Sequence, residues 1–341
     1  MKKSLMTLGV LALFVLMAYG QEKKFALYSV AFYNMENLFD TIHDEGKNDY
    51  EYLPNGTNQW NTMKYKAKLK NMSEILSMLS TDKLPMGPAI IGVSEIENYR
   101  VLEDILKQPA LADKEYQYVH YEGEDRRGVD CAFFYNPKLF ELTNSKLVPY
   151  VYINDTVHKT RGFLIASGNI AGEKMHFIVN HWPSRAAASP VRERAGEQVR
   201  AIKDSLLKED SAAKIVIMGD MNDDPMDKSM AVALGAKRKP ADVGPTDLYN
   251  PWWDTLKKGY GTLMYKGKWN LFDQIVFTGN LLGTDRSTLK FYKHEIFRRD
   301  FMFQKEGKYK GYPKRTQAGG VWLNGYSDHL PTIIYLIKEV K

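Results

Sequence analysis

Several polar side chains stand directly after apolar runs, where the end of a strand can present them to a cleft. In KIVIMGDMNDDP the run Ile215–Met218 passes through Gly219 and delivers Asp220 and Asn222. Residues two apart on an extended chain share a face, so both side chains can enter one cleft. Carboxylate and amide oxygens are what a hard cation requires. An EF-hand loop competes for this run, because Asp220, Asn222 and Asp224 fit its first three ligand positions. It fails where Pro225 replaces the needed Gly and Ala231 the needed Glu. AIIGVSEIEN repeats the arrangement with Glu95 and Glu97, and a carboxylate behind a buried strand needs a partner, most naturally a metal. VAFYNMENLFD places Asn34 in the same way. Taken singly, each is as well explained by a strand-end cap.

Two histidines follow the same logic. IVNHWPSR sets His181 just past an apolar run, and GYSDHLP sets Asp328 and His329 just before the last one. Asp273, in WNLFDQIVF, is a carboxylate in apolar surroundings. It can orient a histidine through Nδ1, as the acid of a hydrolase triad does. A lone histidine is usually structural, but two at strand ends, among so many strand-end carboxylates and amides, make a constellation.

Strands must carry these groups. The expected ones are Ala26–Tyr33, Ala89–Ser94, Tyr116–Tyr121, Val129–Tyr135, Phe163–Ile170, Met175–Asn180, Ile215–Met218, Gln274–Thr278 and Thr332–Ile337. Tyr65, Leu69, Met72, Leu76 and Leu79 recur at helical spacing, as do Val191, Ala195, Val199, Ile202 and Leu206. Neighbouring strands without intervening helices argue against a purely parallel, doubly wound sheet. Two packed sheets flanked by helices fit better, in one domain over residues 21–341. Ser229–Trp269 reads as surface loops. Arg298–Asn324 reads as a loop whose Lys305, Lys308, Lys310, Lys314 and Arg315 alternate with Tyr309 and Tyr312, a mixture suited to phosphate contact and base stacking or to an ordinary solvated loop.

Asn34 in FYNMENL, Glu95 in GVSEIEN, His181 in NHWPSR, Asp220 and Asn222 in GDMND, Asp273 in FDQI and Asp328–His329 in SDHLP together resemble the ordered motifs of the endonuclease/exonuclease/phosphatase superfamily, the deoxyribonuclease I-like group. The resemblance spans nearly the whole chain after the leader. It implies a four-layer α/β sandwich with the site at one end of two facing sheets. It also implies roles. Glu95 would be the main ligand of Mg²⁺, with Mn²⁺ or Ca²⁺ as alternatives, Asn34 nearby and Asp328 contributing. His329 would activate the attacking water, held by Asp273, while Asp220 and Asn222 position the nucleophile and a phosphate oxygen. His181 would stabilise charge on the phosphate or leaving oxygen. In EDRRGVDCAFFY, Arg127 and Tyr135 are candidates to face the phosphate, and Arg185 is a candidate phosphate ligand or a surface salt bridge.

Export is expected from the first residues. Lys2 and Lys3 precede the apolar stretch Leu5–Ala18, and Ala18 and Gly20 suit cleavage after Gly20, leaving a periplasmic or extracellular protein without a stable membrane anchor. Cys131 is the sole cysteine, which excludes an intramolecular disulfide, and its apolar neighbours make it a buried strand residue rather than a nucleophile. Without Lys2 and Lys3, 45 basic side chains face 41 acidic ones, a net charge of +4 that suits a polyanion. Extracellular nucleic acid is the expected substrate and partner, with no obligate protein partner. A phosphatase or phosphodiesterase for lipid head groups or small phosphate esters is the alternative. A catalytically inactive binding module would not need to keep Glu95, Asp220, Asn222, His181, Asp273 and His329 together.

Overall fold

The computed structural model describes residues 23–155 and 157–340, so the expected signal segment, residues 1–20, lies outside the described residues. The strands are β1 (Lys24–Leu38), β2 (Ile90–Ile96), β3 (Gln117–His120), β4 (Asp130–Tyr135), β5 (Glu141–Val148), β6 (Phe163–Ile170), β7 (Glu173–His181) and β8 (Lys214–Asp220), then β9 (Ala236–Lys237), β10 (Leu248–Tyr249), β11 (Leu263–Tyr265), β12 (Lys268–Asn270), β13 (Asp273–Thr278), β14 (Lys290–Ile296), β15 (Gln317–Ala318), β16 (Val321–Trp322) and β17 (Thr332–Val340). The helices are α1 (Thr62–Met78), α2 (Tyr99–Leu106), α3 (Pro109–Ala112), α4 (Ser189–Glu209) and α5 (Trp253–Lys257).

One sheet runs in the order β14-β17-β1-β2-β4-β3 and the other β5-β6-β7-β8-β13-β10-β9. Both mix parallel and antiparallel pairs, β1 with β2 and β7 with β8 being parallel. Apolar side chains alternate along each strand, so each sheet has an inner and an outer apolar face. The inner faces meet through Val30, Phe32, Phe133, Phe177, Met218 and Leu336. On the outer face of the first sheet, α1 buries Leu69, Met72 and Leu76 against Ile91, Val93 and Ile333. On the outer face of the second, α4 buries Ala195, Val199 and Leu206 against Ile178 and Ile217. The result is the expected four-layer α/β sandwich. Asn61 caps α1 by accepting from the Lys64 N–H, and Asn98 caps α2 by accepting from the Arg100 and Val101 N–H groups.

All nine expected strands form, several longer than expected. Strands β5 and β14, helices α2 and α3, and the β15–β16 hairpin within the stretch read as a loop from Arg298 to Asn324 were not expected. The first of these, β5, has only partly buried and exposed residues, so its sequence carries little apolar alternation. The stretch read as loops from Ser229 to Trp269 instead holds a π-helical turn at Ser229–Leu234, the short strands β9 and β10, α5, and the β11–β12 hairpin. Cys131 is buried in β4 as expected. Among the described residues no helix is long and apolar enough to cross a membrane.

The parallel pair β7–β8 sets the future site by register, placing Asn180 opposite Gly219 and His181 opposite Asp220. A Cβ at Gly219 would lie 2.3 Å from the Asn180 carbonyl oxygen, so only glycine lets these strand ends approach. Gly219→Ala is expected to cost about 1–3 kcal/mol, the usual penalty of overpacking, read as a lower urea midpoint.

Candidate active site

At one end of the sandwich the apolar core stops and polar side chains from both sheets meet. Asn34 comes from β1, Glu95 from β2, His181 from β7, Asp220 from β8 and Asp273 from β13, while Asp328 and His329 precede β17. The backbone is bent to bring them there. Glu36, Asn37, Glu95 and Asn222 all have positive φ (46°, 52°, 60° and 51°), and the pairing of β2 is interrupted between Ser94 and Ile96. Left-handed conformations are tolerable for asparagine but strained for glutamate, and such strain gathers at functional sites. The interruption also ends the alternation expected for Glu95 and Glu97. Glu97 is buried beside Asp40, whose backbone N–H it accepts at 2.6 Å, and burial and Asp40 push its carboxyl up to about 9.

Asp273 is fully buried, and its Oδ2 accepts the hydrogen bond from His329 Nδ1 at 2.6 Å. That bond leaves Nε2 of His329 facing Oδ2 of Asp220 at 3.8 Å and Oδ1 of Asp328 at 3.9 Å. Burial opposes a charge on His329, but the carboxylates of Asp273, Asp220 and Asp328 prevail and hold its pKa well above the usual imidazole value. His181 behaves oppositely. Burial, reinforced by Arg161, Arg127 and His329, drives its pKa well below the ordinary value, so it is neutral. Its Nε2 lies 3.8 Å from Glu95 Oε1 and 3.7 Å from Asp220 Oδ2, and its buried Nδ1 has no hydrogen-bond partner among the described residues. The pair therefore divides into a charged and a neutral imidazole.

Asn34 does not present an oxygen. Its Oδ1 accepts the Glu36 N–H at 2.8 Å, and its Nδ2 donates to Glu95 Oε1 at 3.1 Å and Asp220 Oδ2 at 3.0 Å. The expected metal ligand is instead a donor that ties two carboxylates together. Glu95 accepts the Asn37 N–H at 2.8 Å through its other oxygen. Asp328 shares Arg315 with Glu36, at 2.9 and 2.8 Å respectively. Asn222 donates its amide to the Trp182 carbonyl at 3.0 Å, and its own N–H goes to Asp220 Oδ1 at 2.9 Å.

A cation fits the donor set. Glu95, His181 and Asp220 offer atoms within 4.8 Å of one another, as do Asp220, Asp273 and His329. Burial pushes the Asp220 carboxyl up to about 7, and a buried Asp273 oxygen has no hydrogen-bond partner among the described residues. Carboxylates so crowded call for positive charge that the neighbouring side chains only partly supply.

One expected substrate contact, Tyr135, is not at this site, and Arg185, which borders the site at Asn222, takes the salt-bridge alternative. Tyr135 pairs with Ile90 while Cys131 pairs with Ser94, so Tyr135 lies about 13 Å along the sheet from Ser94, the neighbour of Glu95, at ~3.3 Å per residue. There its hydroxyl donates to Gln117 and its ring packs on Phe140. Arg185 is consumed by structure. It donates to the Asn222 carbonyl, Asp223, Asp224, Asp227 and Asn270, and stacks 4.4 Å above Phe272, clamping the loop after β8. Arg127 remains at the site, half exposed beside Asp125. Sequence reading missed Arg161, buried and donating to Asp125 and the Trp182 carbonyl. No local motif marks it. It also missed Glu36 and Lys68, which fasten the basic loop from inside: Lys68 donates to Thr316 and the Tyr326 carbonyl, and Glu36 accepts the Thr316 N–H.

The charge balance has a pH signature. Asp220 keeps its proton up to about 7 when folded and only to its ordinary value of 3.8 when unfolded, so the folded state binds more protons across that window and stability falls as pH rises through it. His329, raised by its carboxylates, stabilises the fold at low pH and stops doing so as pH climbs past its folded value. Both act in one direction. Chelator-treated protein is expected to lose thermal stability from about pH 4 to 7, with Asp220→Asn flattening the profile in differential scanning calorimetry. Asp273→Asn should bring the His329 titration, followed by NMR, back toward the ordinary imidazole range.

The match to a family model for the endonuclease/exonuclease/phosphatase family covers residues 29–338. Among solved structures, an endonuclease/exonuclease/phosphatase family protein of Bacteroides thetaiotaomicron superposes with a TM-score of 0.58 at 14% identity, covering 93% of this chain and 97% of that one. A mannosyl-6-phosphatase of the same organism gives 0.56 at 14%, covering 91% and 99%. A humanized D. rerio TDP2 gives 0.53 at 14%, covering 91% and 98%. Identities this low speak to the fold alone, and no curated protein sequence matches the chain. The family model, the sandwich and the cluster at its end agree, and this chain belongs to the endonuclease/exonuclease/phosphatase family.

Proposed function

We propose that this protein is an exported phosphodiesterase that cleaves nucleic acid with the help of a divalent cation, Mg²⁺ first and Mn²⁺ or Ca²⁺ as alternatives. Phosphoester hydrolysis is the chemistry of its family. The observation that carries the reading is the Asp273–His329 pair aimed by Nε2 at Asp220, across the cleft from Glu95 and His181. Glu95, with Asp328 and Asp220 close by, would hold the cation, which supplies charge to polarise the phosphoryl group and offsets the carboxylates around His329. His329, once neutral, takes the proton of the attacking water at Nε2, and Asp273 steadies the imidazolium that results. Asp220 and Asn222 orient water and a phosphate oxygen. His181, neutral, donates a hydrogen bond to the phosphate or leaving oxygen, and Arg127 adds positive charge nearby.

Nucleic acid is favoured by Lys266, Lys308 and Arg315, which line a cavity beside Asp328, and by the kinship in fold with D. rerio TDP2 complexed with a single-strand DNA product (TM-score 0.53, 14% identity). The mannosyl-6-phosphatase of the same fold supports the second reading, a small phosphate ester. Purified protein incubated in parallel with DNA, RNA, a lipid phosphodiester and a sugar phosphate, in Mg²⁺ or chelator, separates them. Cleavage of DNA or RNA that chelator abolishes is expected. Activity on the sugar phosphate alone would favour the second reading, and full activity in chelator would remove the cation. Glu95→Gln should weaken Mg²⁺ binding in calorimetry without unfolding the chain, and His329→Ala should lower turnover at least ~10²-fold. Export predicts a mature N-terminus at Gln21, readable by sequencing the protein recovered outside the cytoplasm.

A further inference from the structure

The basic loop does not form one continuous stripe. Lys305 and Lys310 line a cavity of about 390 Å³ with Arg298 and Arg299. Lys308, Tyr309 and Tyr312 instead line a cavity of about 720 Å³ that opens beside the catalytic cluster, sharing Asp328 and Arg315 with it. Two projections enclose this second cavity. One is the β11–β12 hairpin, whose Leu263 pairs directly with His329 and which brings Met264, Tyr265 and Lys266. The other is the tight turn around Gly307 and Gly311, both at positive φ, which sets Tyr309 edge-on to Tyr312 at 5.4 Å between ring centres. The two are tied by the Gly267 N–H donating to the Tyr312 hydroxyl at 2.6 Å.

We infer that this cavity receives one unstacked, planar ring, the base of the nucleotide adjoining the scissile phosphate, so that the enzyme acts on single strands or frayed ends. The inference rests on the nucleic-acid reading and narrows it. The volume lies within the ~300–1,000 Å³ of small-ligand sites. Leu263, Met264, Val321 and Leu323 supply apolar walls, and Tyr265 and Tyr309 are more than half exposed. Lys266 and Lys308 lie over these rings at 5.3 and 5.6 Å from the centroids, so a base would stack on the face of each ring away from its lysine. Every base has a π-face for these rings to meet, and Gln304 and Glu306 at the same wall can meet the polar atoms of its edge. Lys266 and Lys308 stand at the wall, where they can meet the flanking phosphates. A base still in a duplex is stacked on both sides and cannot enter without being unpaired.

The test measures ring selectivity apart from cleavage. Full-length protein carrying His329→Ala, in Mg²⁺, is titrated calorimetrically with adenosine 5′-monophosphate and with ribose 5-phosphate. The nucleotide should bind about 5- to 150-fold more tightly, the range stacking on an aromatic side chain gives. Adding Tyr265→Ala and Tyr309→Ala should erase that preference, Tyr309→Phe should keep it, and Tyr292→Ala, on the exposed face of β14, should leave it untouched. Equal binding of the two ligands, or binding of neither, overturns the inference, as does a preference that survives loss of both tyrosines. In a separate arm, wild-type protein is given single-stranded and duplex oligonucleotides of one sequence. Faster cutting of the single strand is expected, and equal or faster cutting of the duplex refutes the inference. If no oligonucleotide is cut while the calorimetric preference holds, the nuclease reading fails and the ring pocket stands.

Discussion

One side-chain amide sets the geometry on which the site depends. Asn34 lies at the end of β1 in one sheet, Glu95 beside it on β2, and Asp220 across the cleft on β8 in the other sheet. Two carboxylates that both reach one amide, Asp220 buried and Glu95 partly buried, repel each other where water screens poorly. The Asn34 amide donates to both, and it cannot turn over because its oxygen is held by the Glu36 N–H. The sheets are thus closed at this end by hydrogen bonds rather than by apolar packing. The His329–Asp273 bond makes a second crossing, since His329 leads into β17 of the first sheet and Asp273 opens β13 of the second. Apolar contacts hold the two sheets together, and these two crossings fix their relative position where chemistry is to occur.

The same end is anchored from behind. Lys68 points from α1 into the protein and is buried, and burial lowers its pKa to about 8 against the pull of Glu36 and Asp328. Glu36, which burial raises to about 7, takes the Thr316 N–H and Arg315, and Arg315 also holds Asp328. A buried charge pair is a costly way to gain stability but an effective way to fix one arrangement over others. Here the arrangement fixed is that of the loop carrying Tyr309 and Tyr312 relative to Asp328. A wall of the cavity and a carboxylate of the site therefore share one guanidinium, and neither can shift without disturbing the other.

Much of this was legible in the sequence where local pattern carries the information. Apolar runs ending in Asn34, Glu95, His181, Asp220 and before His329 located the strands and the cluster together, because a strand end is both a pattern break and a place to present a side chain. What the sequence did not show depended on partners far away in the chain. Arg185 and Arg127 look alike as single residues, yet Arg185 is spent on five partners around Phe272 while Arg127 stays half exposed. Tyr135 falls at the wrong end of its strand, a matter of direction that the apolar run VDCAFFY does not encode. Asn34 was found, but the sense of its amide follows from the Glu36 N–H two residues on, in a left-handed turn that the residue types alone do not announce.

The two histidines show how one scaffold gives similar groups different states. Both are buried, and both end up near Asp220. Burial alone would strip the proton from each. His329 keeps it because Asp273 accepts from Nδ1 at 2.6 Å and Asp220 and Asp328 face Nε2. His181 loses it because burial goes unopposed: Arg161 and Arg127 add to it, and its Nδ1 has no hydrogen-bond partner among the described residues. The difference is set by which cation or carboxylate each strand end faces, not by the imidazoles. It follows that positive charge arriving beside Asp220 acts chiefly on His329, whose charge that carboxylate helps to hold, and hardly on His181, which is already neutral. On the proposed function, binding of a cation and readiness of His329 as base would then be linked through Asp220.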